Sequence, residues 1–174
     1  MREQFIKVMS RYIQREYRDG CYNKARVWLP DKQAKIYSSY IYDAAVMYSI
    51  DPFLMIAIPN HETYFMNMRG DTDRGSDYSE GMFQILRSTQ KEIYQDMVEK
   101  GMVQQLVWRP GLSILPFMRD QTIMASHFIK HFCTENFGSK SRITLSRYNT
   151  NPSYTGKVLA KYNKAVKFYN LEGN

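Results

Sequence analysis

Cysteine and long apolar runs are both scarce in this chain of 174 residues. Its two cysteines, Cys21 and Cys133, do not form the C-x-x-C pair of a zinc or redox motif. We expect two buried thiols, with a disulfide between them as the alternative. The longest apolar stretch covers 52–58 and ends at Pro59, far short of the roughly 20 residues that a membrane-spanning helix needs. The sequence therefore predicts no membrane insertion.

The N-terminus also lacks the continuous apolar core of a secretory signal peptide. Arg2, Glu3 and Lys7 interrupt its apolar pattern, which is typical of an amphipathic helix. We find no internal repeat, low-complexity tract or long strand-period alternation. With 44% hydrophobic and 14% aromatic residues, the chain is long enough to bury one core. These features predict a mainly α-helical fold and a single domain over residues 1–174.

Helical periodicity dominates the first third of the chain. Apolar side chains recur with helical spacing over 2–17 and again over 32–48. The sequence Ile-Asp-Pro at 50–52 is typical of an N-cap followed by proline in the first turn. We expect the resulting third helix to run to about Phe65, with a kink or loosened turn at Pro59.

The composition changes to glycine, serine and charged residues between 69 and 80, which predicts a polar loop or small hairpin after the third helix. Ser88 is a candidate N-cap for a helix that runs to about Lys100. A turn at 149–152 precedes a final helix. Two adjoining helical stripes are expected to face the core: Met124, Phe128 and Phe132, and Ala125, Ile129 and Cys133.

The net charge of +7 bears on possible partners. Four lysines share one face of the predicted final helix: Lys157, Lys161, Lys164 and Lys167. We interpret this face as solvated, with attraction to nucleic acid or to an acidic wall polymer as the alternative. We expect no nucleic-acid partner, because only the charge supports one.

Glu62 is the residue best suited to chemistry. Its helical neighbours are Ile58, Phe65 and Met66, so we expect a poorly solvated carboxylate with a raised pKa. A glutamic acid of this kind can protonate the leaving oxygen in glycoside cleavage. An ordinary helix-surface glutamate fits the periodicity equally well.

Three short segments favour the catalytic interpretation: Ile56-Ala57-Ile58 with Glu62-Thr63, then Gly81-Met82-Phe83-Gln84-Ile85, then Tyr148-Asn149. In order and spacing they resemble the lysozyme-like lytic transglycosylases and goose-type lysozymes. In that superfamily a catalytic helix ending in Glu-Ser is followed by Gly-Leu-Met-Gln-Ile and later by Tyr-Asn. The resemblance covers residues 40–165 and leaves 1–39 as an N-terminal helical extension.

The resemblance implies a lysozyme-like fold in which Glu62 is the catalytic acid and base. The substrate-binding residues that it implies are Thr63, Met82, Phe83, Gln84, Tyr148 and Asn149, with Met82 and Phe83 in the wall of the groove. The implied substrate is the glycan strand of peptidoglycan, cleaved at the β-1,4 bond between N-acetylmuramic acid and N-acetylglucosamine without a metal or organic cofactor. The chain departs from the pattern at Pro59, at Phe83, which replaces a methionine, and after Asn149, where Gly-x-Gly is absent.

A second carboxylate would bear on the mechanism, because inverting hydrolases use one to activate water. Asp73-Arg74-Gly75 is similar to the Asp-Arg-Gly of goose-type lysozymes, whereas Leu86 stands where those enzymes often have another aspartate. Asp73 is therefore a candidate auxiliary carboxylate, and a turn-forming loop residue is the alternative.

We expect a lytic transglycosylase that forms 1,6-anhydro ends. The alternatives are a goose-type hydrolase that uses Asp73 and a non-catalytic wall-binding or virion protein. Because no signal peptide is recognised, we expect a phage product that reaches the wall through a holin or inside the virion.

The histidines give weaker signals. His61-Glu62 begins like the zinc-protease motif, but Phe65 occupies the position of its second histidine. His127 and His131 have the one-turn spacing of a metal-binding pair, without a cysteine or acidic residue to complete the site. We interpret them as polar helix-edge residues and predict no metal site. Cys133 is a poor candidate nucleophile, because His131 points away from it on a helix.

Overall fold

Seven α-helices contain most of the residues that the computed structural model describes, which are 1–20, 28–133 and 142–173. The mainly α-helical class predicted from the sequence is confirmed. The helices are α1 (Arg2–Gly20), α2 (Asp31–Met47), α3 (Pro52–Thr63), α4 (Arg87–Glu99), α5 (Met118–His127), α6 (Arg142–Tyr148) and α7 (Tyr154–Glu172). In the described part of the chain, no helix combines the length and the hydropathy needed to cross a membrane.

Helix α3 lies at the centre of the fold. Every residue from Leu54 to Asn60 is buried, as expected for a helix that is apolar on all sides. Helix α3 packs against α1, α2 and α7. One contiguous hydrophobic cluster extends from Phe5 in α1 to Ala165 in α7. The helices of residues 1–39 therefore share their core with those of 40–165.

The start of α3 follows the sequence-based prediction, but its end comes earlier than predicted. The Asp51 carboxylate accepts a 2.9 Å hydrogen bond from the Phe53 N–H, with proline in the first turn. Pro59 stays inside the helix, which ends at Thr63. The next two residues have positive φ angles of 51° and 65°, a left-handed turn that buries the Phe65 ring. Glu62 consequently lies in the last turn of α3.

The polar segment after α3 forms the predicted hairpin and extends it to a three-stranded antiparallel sheet. Its strands are β1 (Arg69–Gly70), β2 (Ser79–Glu80) and β3 (Ile85–Leu86). Arg69 pairs with Glu80, which in turn pairs with Ile85. A short 3-10 helix, Thr72–Arg74, lies between the first two strands.

The prediction that Ser88 caps α4 is wrong, because Ser88 lies inside the first turn. The carboxylate of Asp77 accepts hydrogen bonds from the Ser88 N–H at 2.8 Å and from its hydroxyl at 2.9 Å. The cap thus comes from the loop between β1 and β2, which satisfies an N–H that has no partner within the helix. This contact fixes the loop to the start of α4.

One of the two stripes predicted for 121–133 is confirmed: Ala125, Ile129 and Cys133 are buried. The other stripe is wrong at its end, since Phe132 is 38% exposed. The reason is a π-helix over Phe128–Cys133, which has more residues per turn and rotates later side chains off the α-helical stripe. Cys133 is a free, buried thiol, as predicted, and Cys21 lies outside the described residues.

Candidate active site

The Glu62 carboxyl is largely withdrawn from water and hydrogen-bonded to the start of α7. Its Oε1 accepts a 2.7 Å hydrogen bond from the Tyr154 hydroxyl. Burial raises the pKa of Glu62 from 4.5 to about 7, against the lowering effect of the Tyr154 hydrogen bond, and the charge of Asp71 raises it further. The raised pKa predicted from the apolar neighbours of Glu62 is confirmed. Near neutral pH a substantial fraction of this carboxyl keeps its proton.

Tyr148 belongs to the same cluster, as the resemblance implies. Its ring stacks on that of Tyr154, with centroids 6.1 Å apart and planes inclined by 12°. Its hydroxyl donates a 2.7 Å hydrogen bond to the carbonyl of Phe83. Burial, reinforced by the nearby Glu62 charge, raises the pKa of Tyr148 well above its usual value. Burial likewise raises the pKa of Tyr154, so both phenols remain protonated donors at neutral pH.

Thr63 joins helix α3 to the turn at 81–84. Its hydroxyl lies 3.1 Å from the Met82 carbonyl and 3.3 Å from that of Pro59, so it donates to one or shares its hydrogen between them. The Met82 N–H donates a 3.0 Å hydrogen bond to Oε1 of Gln121 in α5. These two contacts hold the turn on both sides. Thr63 is thus placed to position the turn next to Glu62.

The side chains of Met82 and Phe83 lie in the core rather than on the surface of the groove. They are 0% and 1% exposed. This corrects the expectation that they form the groove wall, because neither side chain reaches the surface. The physical reason is the positive φ of Gly81, 83°, which turns the chain and directs both apolar side chains inward.

The side-chain amide of Gln84 is hydrogen-bonded within the hairpin. Its amide nitrogen donates to the Gly81 carbonyl at 2.7 Å and its Oε1 accepts from the Ser79 hydroxyl at 2.7 Å. The backbone at Gln84 is itself left-handed, with a φ of 51°. Since both ends of the amide are engaged, Gln84 shapes the site from a fixed position.

A pocket of about 260 Å³ opens beside this cluster. Its lining residues are Asp71, Arg74, Gln84, Ile85, Leu86, Thr89, Phe128, Tyr148, Asn149 and Thr150. Glu62 is outside the lining but adjoins it through Tyr154, whose hydroxyl is bonded to Glu62 and whose ring stacks on that of Tyr148, a lining residue. Asn149 is fixed by accepting a 3.0 Å hydrogen bond from the Asn151 N–H. The structure therefore brings Gln84, Tyr148 and Asn149 to one cavity next to the candidate acid.

Asp71, and not Asp73, is the loop carboxylate whose charge raises the pKa of Glu62. Asp71 has a positive φ of 49° and lines the pocket. Asp73 is exposed in the 3-10 helix, with no hydrogen bond or ion pair to the described residues. The difference arises from the left-handed turn that follows β1. The local signal for Asp71 is the glycine just before it, which is typical of a turn, whereas the motif Asp-Arg-Gly indicates Asp73.

Tyr154 is the residue bonded to Glu62 that no sequence pattern indicated. It is the first residue of α7, and its ring packs edge-on against His61 with centroids 5.0 Å apart. A tyrosine after a turn gives no local signal of a bond to a carboxylate 92 positions away. Only the packing of α7 on α3 brings the two groups together.

His127, the buried histidine of α5, contacts the side chains of Asp96 and Tyr48. His127 is 0% exposed, which corrects its interpretation as a helix-edge residue. Its Nε2 lies 2.5 Å from Oδ2 of Asp96, and its Nδ1 lies 3.2 Å from the Tyr48 hydroxyl. Burial lowers the pKa of His127. In the described ranges, no group of three or more potential metal ligands comes together.

Cys133 is unsuited to act as a nucleophile, since burial raises the pKa of its thiol to about 12.

Comparison of the chain with protein-family models, curated proteins and solved structures gave no match. Function is therefore inferred from the geometry of Glu62 and its surroundings.

Proposed function

We propose that the protein is a lysozyme-like enzyme that cleaves the β-1,4 bond between N-acetylmuramic acid and N-acetylglucosamine in peptidoglycan, acting as a lytic transglycosylase. The observation that carries the proposal is the Glu62 carboxyl, whose pKa is raised by burial to about 7 beside a polar pocket. General-acid catalysis is most efficient when the pKa of the acid lies near the working pH.

In the proposed reaction, Glu62 first donates its proton to the glycosidic oxygen as the bond to C1 of the muramoyl residue breaks. The resulting carboxylate then accepts the proton of the 6-hydroxyl of that residue, and O6 bonds to C1 to close the 1,6-anhydro ring. The proton taken up balances the proton given. Tyr154 holds the carboxyl in place throughout, because its hydroxyl is bonded to Oε1.

A hydrolase is the second candidate, and Asp71 is the observation that favours it. Asp71 lines the pocket and its charge raises the pKa of Glu62, which supports it as a candidate for the auxiliary role that the sequence suggested for Asp73. In this case Asp71 would accept a proton from water as the water oxygen attacks C1. The products would then carry reducing ends instead of 1,6-anhydro ends.

Product analysis on purified peptidoglycan tests the proposal and separates the two mechanisms. We expect the wild type to release fragments whose mass shows 1,6-anhydro ends, and we expect Glu62→Gln to lose at least 100-fold in rate, as for removal of a general acid. Glu92→Gln is the matched control, because Glu92 lies on the exposed face of α4. Equal product release by wild type and Glu62→Gln would reject catalysis by Glu62, and reducing ends would favour the hydrolase.

A further inference from the structure

A row of side chains on α7 begins at the candidate acid and continues away from it. Tyr154, Lys157, Lys161 and Lys164 are spaced three and four residues apart, so they share one face of the helix. Tyr154 is bonded to Glu62 at one end of the row. At the other end, Lys164 forms a 2.7 Å ion pair with Glu16 of α1. The lysines thus extend from the site along the surface.

Two rings at the end of α3 line the same row. The His61 ring packs edge-on against Tyr154, and Lys161 Nζ lies 4.4 Å from the centroid of the Tyr64 ring. Burial lowers the pKa of His61, and the positive charges of Lys157 and Lys161 lower it further. His61 is therefore uncharged at neutral pH, and both ammonium groups lie close enough to act on it.

The charges along the row do not cancel. Glu16 is 1% exposed and is paired with Lys161 at 3.6 Å, with Lys164 and with Arg15. One carboxylate therefore faces three cations. Lys157 is exposed and forms no ion pair within the described ranges. The row has an excess of positive charge, and the excess is greatest at Lys157, one helical turn from Tyr154.

We propose that Lys157 and Lys161, together with the rings of His61 and Tyr64, form a subsite that binds carboxylates of the peptide stem on the glycan strand. The inference rests on the proposed function. Every muramoyl residue carries its stem at the lactyl group, so a strand with a muramoyl residue at Glu62 places a stem next to this residue. Ammonium groups one helical turn apart match single carboxylates spaced along an extended peptide. The flat rings offer contact area between the charges.

Binding to purified wall sacculi tests the subsite independently of catalysis. All proteins carry Glu62→Gln to prevent cleavage, and the further changes are Lys157→Gln and Lys157→Glu. Lys167→Gln and Lys167→Glu are the matched controls, because Lys167 is exposed and has no ion pair within the described ranges. It lies on the same helix but about 15 Å beyond Lys157, away from Tyr154. The sacculi are used intact, after amidase removal of the stems, and after hydrofluoric acid removal of phosphate polymers.

We expect removal of the stems to weaken binding of the parent by about threefold to tenfold, with removal of phosphate polymers having no effect. On intact sacculi, Lys157→Gln should raise the Kd about twofold to fivefold and Lys157→Glu about tenfold. On stem-free sacculi these variants should bind like the parent, and the Lys167 variants should bind like the parent throughout. The losses should shrink at 1 M salt, since exposed charges are screened.

Three results would overturn the subsite. These are equal losses at positions 157 and 167, an effect of Lys157 that survives stem removal, and an effect that disappears only when phosphate polymers are removed. Failure of the proposed function gives a different result, since the wild type would then release no fragments from any of the sacculi. The binding comparison would still decide whether the row recognises stems.

Discussion

The hydroxyl of Tyr154 and the carboxyl of Glu62 are joined by a 2.7 Å hydrogen bond between the first turn of α7 and the last turn of α3. The bond lowers the pKa of a carboxyl that burial otherwise raises. It also couples the candidate acid to the docking of the final helix. The proton on Glu62 is thus controlled by groups from three parts of the chain: α3, α7 and the loop that contains Asp71.

The first prediction concerns the pH dependence of cleavage. The proposed mechanism requires the protonated form of Glu62, whose pKa is about 7, so kcat/KM should be highest below this pH and fall as the pH rises through it. Well above pH 7 the fall should approach tenfold for each further pH unit. The measurement is the rate of fragment release between pH 5 and about pH 9. A profile that stays flat to pH 9 would show that Glu62 is not the acid.

The second prediction concerns stability. The folded-state pKa of Glu62 lies above its usual value of 4.5, so the stability that its protonated form provides is complete below about pH 4.5. It is lost as the pH rises through about 7. Glu62→Gln cannot ionise, and above pH 7 its free energy of unfolding should exceed that of the wild type by up to about 3 kcal/mol. Urea titrations at pH 4.5 and pH 8.5 measure the difference, and Glu92→Gln should follow the wild type at both.

The third prediction isolates the bond from Tyr154. Tyr154→Phe removes a donor that favours the ionised form of Glu62, so the pKa of Glu62 should rise. The alkaline limb of the pH profile, where kcat/KM falls, should therefore move to higher pH by about 0.5 to 1 unit. Tyr148→Phe is the control, because the Tyr148 hydroxyl is bonded to the Phe83 carbonyl instead. It should leave the limb in place and reduce the free energy of unfolding by about 1 kcal/mol. A shift of the alkaline limb in both variants would contradict the assignment of the Tyr154 hydroxyl as the group that lowers the pKa of Glu62.

The extent to which the site was predictable depended on whether the relevant interactions were local. The environment of Glu62 follows from neighbours one turn away on the same helix, and the mainly helical class follows from periodicity, so both were predictable. The Tyr154 bond depends on how α7 packs on α3, and nothing local encodes it. The choice between Asp71 and Asp73 depends on one left-handed residue, and Phe132 was misplaced by a π-helical turn.

The fourth prediction tests which loop carboxylate acts on Glu62. The charge of Asp71 raises the pKa of Glu62, so Asp71→Asn should move the alkaline limb to lower pH by a few tenths of a unit, in the opposite direction to Tyr154→Phe. The shift should shrink at 1 M salt, because Asp71 is exposed. Asp73→Asn is the matched control and should leave the profile unchanged. If Asp73→Asn moves the limb and Asp71→Asn does not, the loop carboxylate has been misassigned.

The fifth prediction concerns the turn that supports the pocket. A Cβ at Gly81 would lie 2.4 Å from Oε1 of Gln121, the atom that accepts the Met82 N–H. Gly81→Ala therefore adds a clash and displaces a buried acceptor, in addition to the strain of a φ of 83°. Gly101→Ala is the control, because Gly101 also has a positive φ, 66°, with nothing within 4 Å of the added Cβ.

We expect Gly101→Ala to reduce the free energy of unfolding by about 1 kcal/mol, the cost of a left-handed alanine. Gly81→Ala should lose a further 1 to 3 kcal/mol or so, because the Met82 N–H is left without its partner. It should also slow fragment release, since Thr63 and Gln84 are both bonded to the turn that it distorts. Urea denaturation and product release measure the two effects. Equal losses of stability in the two variants would show that Gln121 yields freely and does not hold the turn.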